Sequence, residues 1–175
     1  PHWGHLLVIQ QILDARIVDE IWLMPCCLHS EKPASLAPAR HRLAMLKLLI
    51  RGLKHIKISD FELRQNKVSY TQETLLALKK KFPQHKFYWI IGSDLMKRVP
   101  NWKNAERLPE LTEFIVYPRL GDRVKPKKGF HALPARIETN ASSTLIRRRV
   151  REGGEITHLT THAIAEYIEK KKLYS

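Results

Sequence analysis

The chain has 175 residues, 43% of them hydrophobic and 27% charged, which is enough for one ordinary domain and excludes disorder as its main state. No run of about 18 apolar residues occurs, so no membrane span is expected. Lys plus Arg number 31 against 17 Asp plus Glu, a formal net charge of +14, a balance that points to polyanionic partners: nucleotides, nucleic acid or acidic surfaces.

Helix and strand patterns alternate along the chain. His5 to Val18 carries Leu6, Ile9, Leu13 and Ile17 at helical spacing. Glu20 to Met24 is a short apolar run closed by Pro25 and reads as a strand. Pro38 to Leu53 is helical, with Leu43, Leu46, Leu49 and Ile50 on one side. Lys54 to Phe61 alternates Ile56 and Ile58 with Lys57 and Ser59, a half-buried strand. Ser69 to Phe82 is expected to be a helix capped by Ser69, with Gln72 completing a capping box and Pro83 just past the end. Phe87 to Ile91 is a continuous apolar strand of the kind buried on both sides in a parallel sheet. Asn104 to Leu111 reads as a short helix, Glu113 to Tyr117 as a strand and Gly121 to Lys128 as a basic loop. Ser143 to Arg151 and Thr161 to Lys171 are the last two helices. The alternation predicts an α/β fold, a doubly wound parallel sheet with helices on both faces in a single domain over residues 1–175. Its ligands belong at the carboxyl ends of the strands. Such a sheet calls for a further strand before His5, so an N-terminal segment preceding Pro1 is expected.

The positive charge is spread out. Lys79–Lys81, Lys125–Lys128 and Lys170–Lys172 read as solvated faces and loops, while Arg147–Arg151 falls inside a motif. Cys26 and Cys27 are adjacent, with no other Cys to pair and no metal-ligand spacing. They read as strand-end packing residues and as free thiols that suit a reducing cytoplasm.

Two helix starts carry the chemistry. In Pro1-His2-Trp3-Gly4-His5, two histidines three residues apart stand at a helix entrance, where free backbone N–H groups and the helix dipole attract phosphate. Gly4 leaves room for a ligand to approach the backbone. By themselves, two histidines at this spacing are more often ordinary surface residues. The second start is Asn140-Ala141-Ser142-Ser143-Thr144-Leu145-Ile146-Arg147. Hydroxyls, N–H groups and an Arg one turn inside make either a phosphate site or a plain N-cap with a basic face.

Together these segments resemble the HxGH and ISSTxxR signatures of the nucleotidylyltransferase superfamily. Further pieces resemble its nicotinate-nucleotide adenylyltransferases: Ser69-Tyr70-Thr71 with Thr74-Leu75 (SYTxxTL), Ile91-Gly92-Ser93-Asp94 (IGxD), Trp102 after Pro100, Tyr117-Pro118-Arg119 with Gly121, Arg42 through Leu46 (RxxML), and Tyr167-Ile168 with Leu173-Tyr174. The order and spacing hold over essentially the whole chain. Three departures stand out. Only Pro1 answers to the GGxFxP opening of the family. Only Lys32 of Leu28-His29-Ser30-Glu31-Lys32 answers to its PPHK segment. Ala141 replaces the Ile of ISST.

The resemblance implies adenylyl transfer from ATP to nicotinate mononucleotide, giving nicotinate adenine dinucleotide and pyrophosphate, in a cytoplasmic step of NAD biosynthesis. It implies His2, His5 and Arg147 as the catalytic set. Gly4, Lys32, Gly92, Asp94, Ser142, Ser143 and Thr144 would bind ATP or its phosphates, and Ser69, Tyr70, Thr71, Trp102 and Arg119 the mononucleotide. Mg²⁺ would travel mainly on ATP phosphates, with no protein metal ligand. Asp94 reads equally as an acceptor for ribose hydroxyls and as an N-cap for the next helix. Arg119 reads as a charge near phosphate or as the partner of an acid. Trp102, in a loop, leans toward exposure, while Trp22 and Trp89 read as core. His131, His158 and His162 look incidental. The partners expected are ATP and the mononucleotide, with no membrane and no nucleic acid, and a homo-oligomer is left open. The rivals are the amide substrate nicotinamide mononucleotide, a pantetheine-phosphate adenylyltransferase or cytidylyltransferase, a degenerate relative that binds nucleotide without turnover, and a basic nucleic-acid-binding domain, which no RRM, KH, zinc-finger or helix-turn-helix signature supports.

Overall fold

The computed structural model describes residues 1–27, 36–119, 124–125, 127–134, 137 and 139–175. In chain order its elements are α1 (Trp3–Asp14), β1 (Ile21–Leu23), α2 (Ala39–Leu49), β2 (Ile56–Ile58), α3 (Phe61–Arg64), α4 (Thr71–Lys81), β3 (Tyr88–Gly92), α5 (Ser93–Met96), α6 (Leu108–Leu111), β4 (Glu113–Tyr117), β5 (Phe130–Ala132), α7 (Ser143–Arg151) and α8 (His162–Lys170). The α/β class expected is the class found, and every pairing between these strands is parallel. The contacts fall into two compact units, Pro1–Lys67 with Thr139–Ser175, and Val68–Glu138.

In the first unit β1 pairs with β2 in the register Ile21↔Ile56 and Leu23↔Ile58. Its core joins Met45 and Leu49 of α2 to Ile146 of α7 and to Ile164, Ala165 and Ile168 of α8. These positions recur at three- and four-residue spacing, so each helix turns one apolar face inward. The expected strand over Lys54 to Phe61 is shorter than its alternating pattern. His55 enters β2 from the left-handed region at φ 61°. Beyond β2, the Ser59 hydroxyl accepts from the Phe61 amide at 3.3 Å, and Phe61 opens α3 instead of extending the strand.

In the second unit the strand order is β3-β4-β5, with Tyr88↔Glu113 through Gly92↔Tyr117 in register. Leu75 of α4, Ile91 of β3, Leu108 of α6 and Phe114 and Val116 of β4 form its core. Replacing the fully buried Leu75 by Ala would cost about 2–5 kcal/mol. Several elements differ from the sequence expectation. α4 begins at Thr71 with Tyr70 extended in the cap position (φ −114°, ψ 132°) and without a side-chain cap bond. Ser69 therefore stands outside the helix. Gln72 does not complete a capping box, because its buried amide oxygen accepts from Asn104 Nδ2 at 3.2 Å. The helix expected over Asn104 to Leu111 is a 3-10 turn, Ala105–Arg107, followed by α6. β5 and the one-turn helix α3 had no sequence expectation, while α5 is the helix that the N-cap reading of Asp94 called for, although it starts ahead of that residue, at Ser93. The basic loop over Gly121 to Lys128 lies partly outside the described residues.

Candidate active site

At the start of α1, His2 is the N-cap residue, with extended backbone at φ −153°, ψ 170°. Two contacts pin this entrance to the segment before α8. The Trp3 amide donates to Leu159 O at 3.1 Å, and the buried Thr160 hydroxyl donates to Pro1 O at 3.0 Å. The His2 ring is buried and His5 is exposed. Their ring centroids are 3.9 Å apart and their planes tilted by 47°. Gly4 is buried, and a Cβ there would lie 2.9 Å from His2 Nδ1 and 3.3 Å from Ala141 O. The glycine is thus required by space.

At the start of α7, Ser142 is the N-cap, and its hydroxyl accepts from the Leu145 amide at 3.2 Å. Arg147 donates from Nη2 to Thr144 Oγ1 at 3.3 Å. This side chain therefore turns back toward the helix N-terminus, where phosphate is favoured. A cavity of about 280 Å³ is lined at its polar side by His5, Arg42, Ser143, Arg147 and Tyr174, with Met45, Leu46 and Ile168 among its apolar walls. The two phosphate-type helix starts read from the sequence thus open onto one cavity.

Arg42 and Tyr174 join that cavity without having been assigned a role from sequence. Their signal was present in the RxxML and LY segments. Arg42 donates from Nε to Ala37 O at 3.0 Å, from Nη1 to Cys26 O at 2.6 Å and from Nη2 to Cys27 O at 3.1 Å. Tyr174 takes a left-handed backbone, φ 70°. Burial pushes its phenol above the ordinary value, against the opposing pull of Arg147 and Arg42.

The second unit holds the other candidates in two places. Gly92 and Asp94 stand at the carboxyl end of β3 and Arg119 just past β4. Arg119 Nε donates to Asp94 Oδ1 at 3.2 Å, and the Arg119 amide donates to the Ser93 hydroxyl at 2.9 Å. This contact pairs Arg119 with an acid, one of the two readings left open for it. Asp94 is not the N-cap of α5. Gly92 holds that position and Asp94 sits in the first turn. A Cβ on Gly92 would overlap Asp94 Oδ1, so this turn needs a glycine although its φ of −76° is ordinary.

Ser69, Tyr70 and Thr71 lead into α4. Trp102 is half-buried, contrary to the exposure expected of a loop residue, and its ring stands edge-on to Phe114 at 6.3 Å. Trp22 and Trp89, expected in the core, are half-buried, and Trp22 Nε1 donates to Glu20 Oε1. Lys103 is a further residue the sequence reading passed over. It reaches Glu73 Oε1 at 2.7 Å and stands 4.3 Å over the Tyr70 ring. His131 is engaged by Glu113 Oε2 at 2.6 Å, while Lys32 lies outside the described residues. Among the described residues no cluster of three or more His, Cys, Asp or Glu side chains could hold a metal ion.

Residues 1–149 match the cytidylyltransferase-like family. The chain is 34% identical over 176 residues to the probable nicotinate-nucleotide adenylyltransferase of Shouchella clausii, covering 99% of this chain and 91% of that protein. It is 37% identical over 183 residues to the corresponding protein of a Synechococcus species, covering 99% and 88%. Among solved structures it superposes on Plasmodium falciparum nicotinic acid mononucleotide adenylyltransferase complexed with NaAD, at a TM-score of 0.84, 23% identity, and 99% and 91% coverage. The same protein complexed with APC gives a TM-score of 0.80 at 22% identity. These two likenesses are of fold and agree with the α/β class expected from the sequence.

Proposed function

The chain belongs to the cytidylyltransferase-like family and, within it, to the nicotinate-nucleotide adenylyltransferases, and from that premise we propose that it transfers the adenylyl group of ATP to nicotinate mononucleotide. The observation that carries this reading is the shared cavity of His5, Ser143 and Arg147, set at the N-terminal ends of α1 and α7. An α-phosphate and its departing pyrophosphate need donors arranged in this way.

A 5′-phosphate oxygen of the mononucleotide attacks the α-phosphorus. A new P–O bond forms as the bond to the β-phosphate's bridging oxygen breaks, and pyrophosphate leaves with the electron pair. No covalent enzyme intermediate is needed, so catalysis is positioning and electrostatic stabilisation. His2 and His5 donate to ATP phosphates, His5 to the α-phosphate where charge develops. Arg147, Ser143 and Thr144 hold the β- and γ-phosphates, and the Ser142 cap keeps the α7 start in place for them. Gly4 leaves the room in which the His2 ring stands at the α1 start. Asp94, fixed by Arg119, accepts from ribose hydroxyls across the turn that Gly92 permits. Tyr70, Thr71 and Trp102 enclose the pyridine, whose flat cationic ring suits aromatic faces, with Ser69 leading into the helix start. Lys32 adds a phosphate contact. Mg²⁺, when bound, would supply charge neutralisation to the phosphates, carried mainly by ATP itself and so needing few protein ligands. The only acid assigned to the site, Asp94, is already engaged by Arg119.

No helix among the described residues is long and apolar enough to cross a membrane, and the free thiols Cys26 and Cys27 suit a reducing cytoplasm. The test is a product assay with ATP and Mg²⁺ and, in turn, nicotinate mononucleotide, nicotinamide mononucleotide or phosphopantetheine. Dinucleotide and pyrophosphate from the first substrate well above the second supports the acid-specific reaction. Turnover of the second alone moves the chain to the amide route. No turnover of any leaves a nucleotide-binding or nucleic-acid-binding protein, which the salt slope of binding to random duplex distinguishes.

A further inference from the structure

Nicotinate and nicotinamide differ by one atom of almost the same size, so the walls of a pocket cannot separate them by shape. Charge can: at neutral pH the acid carries a carboxylate and the amide does not. Selectivity between them therefore needs a cation or a set of oriented donors close to the ring.

Lys103 supplies a cation beside the residues assigned to the pyridine. Its ammonium hydrogen-bonds to Glu73 at 2.7 Å and stands 4.3 Å over the Tyr70 ring. The neighbours in sequence are fixed as well. Trp102 closes a 3-10 turn in extended backbone (φ −75°, ψ 154°). Asn104 is left-handed at φ 53° and donates to Gln72 on the first turn of α4. The Trp102–Asn104 segment is thus fastened to the start of α4 at Gln72, Glu73 and Tyr70. An ammonium has three N–H bonds. Glu73 takes one and the Tyr70 face draws a second, while the side chain stays 47% exposed, leaving donor capacity toward an incoming anion. The Glu73 hydrogen bond holds the ammonium above its ordinary pKa, so the charge is present at any physiological pH.

We propose that Lys103 is a specificity-determining residue of the mononucleotide site, its ammonium, held over Tyr70 by Glu73, favouring the nicotinate carboxylate over the neutral carboxamide. This rests on the adenylyltransferase reading above. Glu73 offsets part of the field, so the two residues act on selectivity with opposite sign.

The experiment compares kcat/KM for the two mononucleotides at saturating ATP in the full chain, for wild type, Lys103→Met, Lys103→Arg and Glu73→Gln. For half-exposed charges, Lys103→Met should lower the acid-to-amide ratio about fivefold, through KM for the acid and not through kcat. Lys103→Arg keeps the charge and should stay within about twofold of wild type. Glu73→Gln should raise the ratio about two- to threefold. Raising salt from about 0.05 to about 0.5 M should narrow the wild-type ratio and leave that of Lys103→Met unmoved. Equal losses for both mononucleotides in Lys103→Met, or a ratio that falls in Glu73→Gln, would overturn the proposal. The Glu73→Gln arm decides even where Lys103→Met folds poorly. Normal wild-type turnover with an unmoved ratio rejects Lys103 alone, whereas no wild-type turnover of either mononucleotide rejects the reading beneath it.

Discussion

The His2 and His5 rings lie 3.9 Å apart, tilted by 47°, beside a glycine that has no room for a side chain. A methyl on Gly4 would meet His2 Nδ1 at 2.9 Å and the Ala141 carbonyl at 3.3 Å. The imidazole is the softer of these neighbours, since Ala141 is buried backbone. Gly4→Ala is therefore expected to turn His2 out of its place at the α1 entrance. Misplacement of a catalytic donor by about 1 Å can cost on the order of 10² in rate. Steady-state kinetics should show kcat falling by roughly that factor while the thermal midpoint moves by only a few degrees. A wild-type kcat would show that the chemistry does not use the orientation of His2.

His5 allows a cleaner test, because it is exposed and its removal leaves no cavity. His5→Ala should lower kcat by roughly 10² or more, the cost of losing one donor to developing charge. Circular dichroism and the melting temperature should stay those of wild type. A variant within a few-fold of wild-type kcat removes His5 from the mechanism.

Trp102 has two roles to separate. Its ring packs edge-on to Phe114, so Trp102→Ala is expected to lose stability, by about 1–3 kcal/mol for a half-buried ring, below the range of a fully buried one. If the ring also stacks on the pyridine, mononucleotide binding weakens more than ATP binding and Trp102→Phe restores most of it. Calorimetric titration with each nucleotide decides the matter. Equal weakening for both ligands would leave Trp102 only its packing role.

Where the sequence was legible, a local pattern and the tertiary demand coincided. β4 and α7 have the expected bounds because the apolar run Phe114 to Tyr117 and a Ser-capped helix each carry their own signal. Ser142 behaves as a helix-start hydroxyl should. Ser69 does not, although its local pattern was as good. The Gln72 amide that a capping box requires is buried against Asn104, and a contact at that chain separation leaves no mark on local spacing. β5 has three residues, two of them exposed, and is a strand only because β4 lies beside it. For the candidate site, the residue types at the two helix starts were readable from motif. The Asp94–Arg119 pair and the reach of Arg42 across to Cys26 and Cys27 were not, since each joins segments far apart in the chain.

The thiol of Cys26 provides a pH-dependent test of the first unit. Burial pushes its pKa above the ordinary thiol value, Arg42 pulls it down and Glu62 pushes it up. A folded-state pKa above the unfolded one means that the protonated thiol suits the folded chain. That contribution to stability is fully present below the unfolded pKa and is lost as pH climbs through the folded value. Alkylation of Cys26, followed by mass spectrometry of its peptide, should therefore be slow near neutrality. It should rise only at pH above the usual thiol range, and urea should abolish the delay. Glu62 is buried on α3, so Glu62→Gln removes one upward push while keeping the shape. The alkylation profile should then shift toward lower pH. An unchanged profile would leave burial as the only effective cause. A shift to higher pH would mean that Glu62 acts on Cys26 through the placement of Arg42 and not through its own charge.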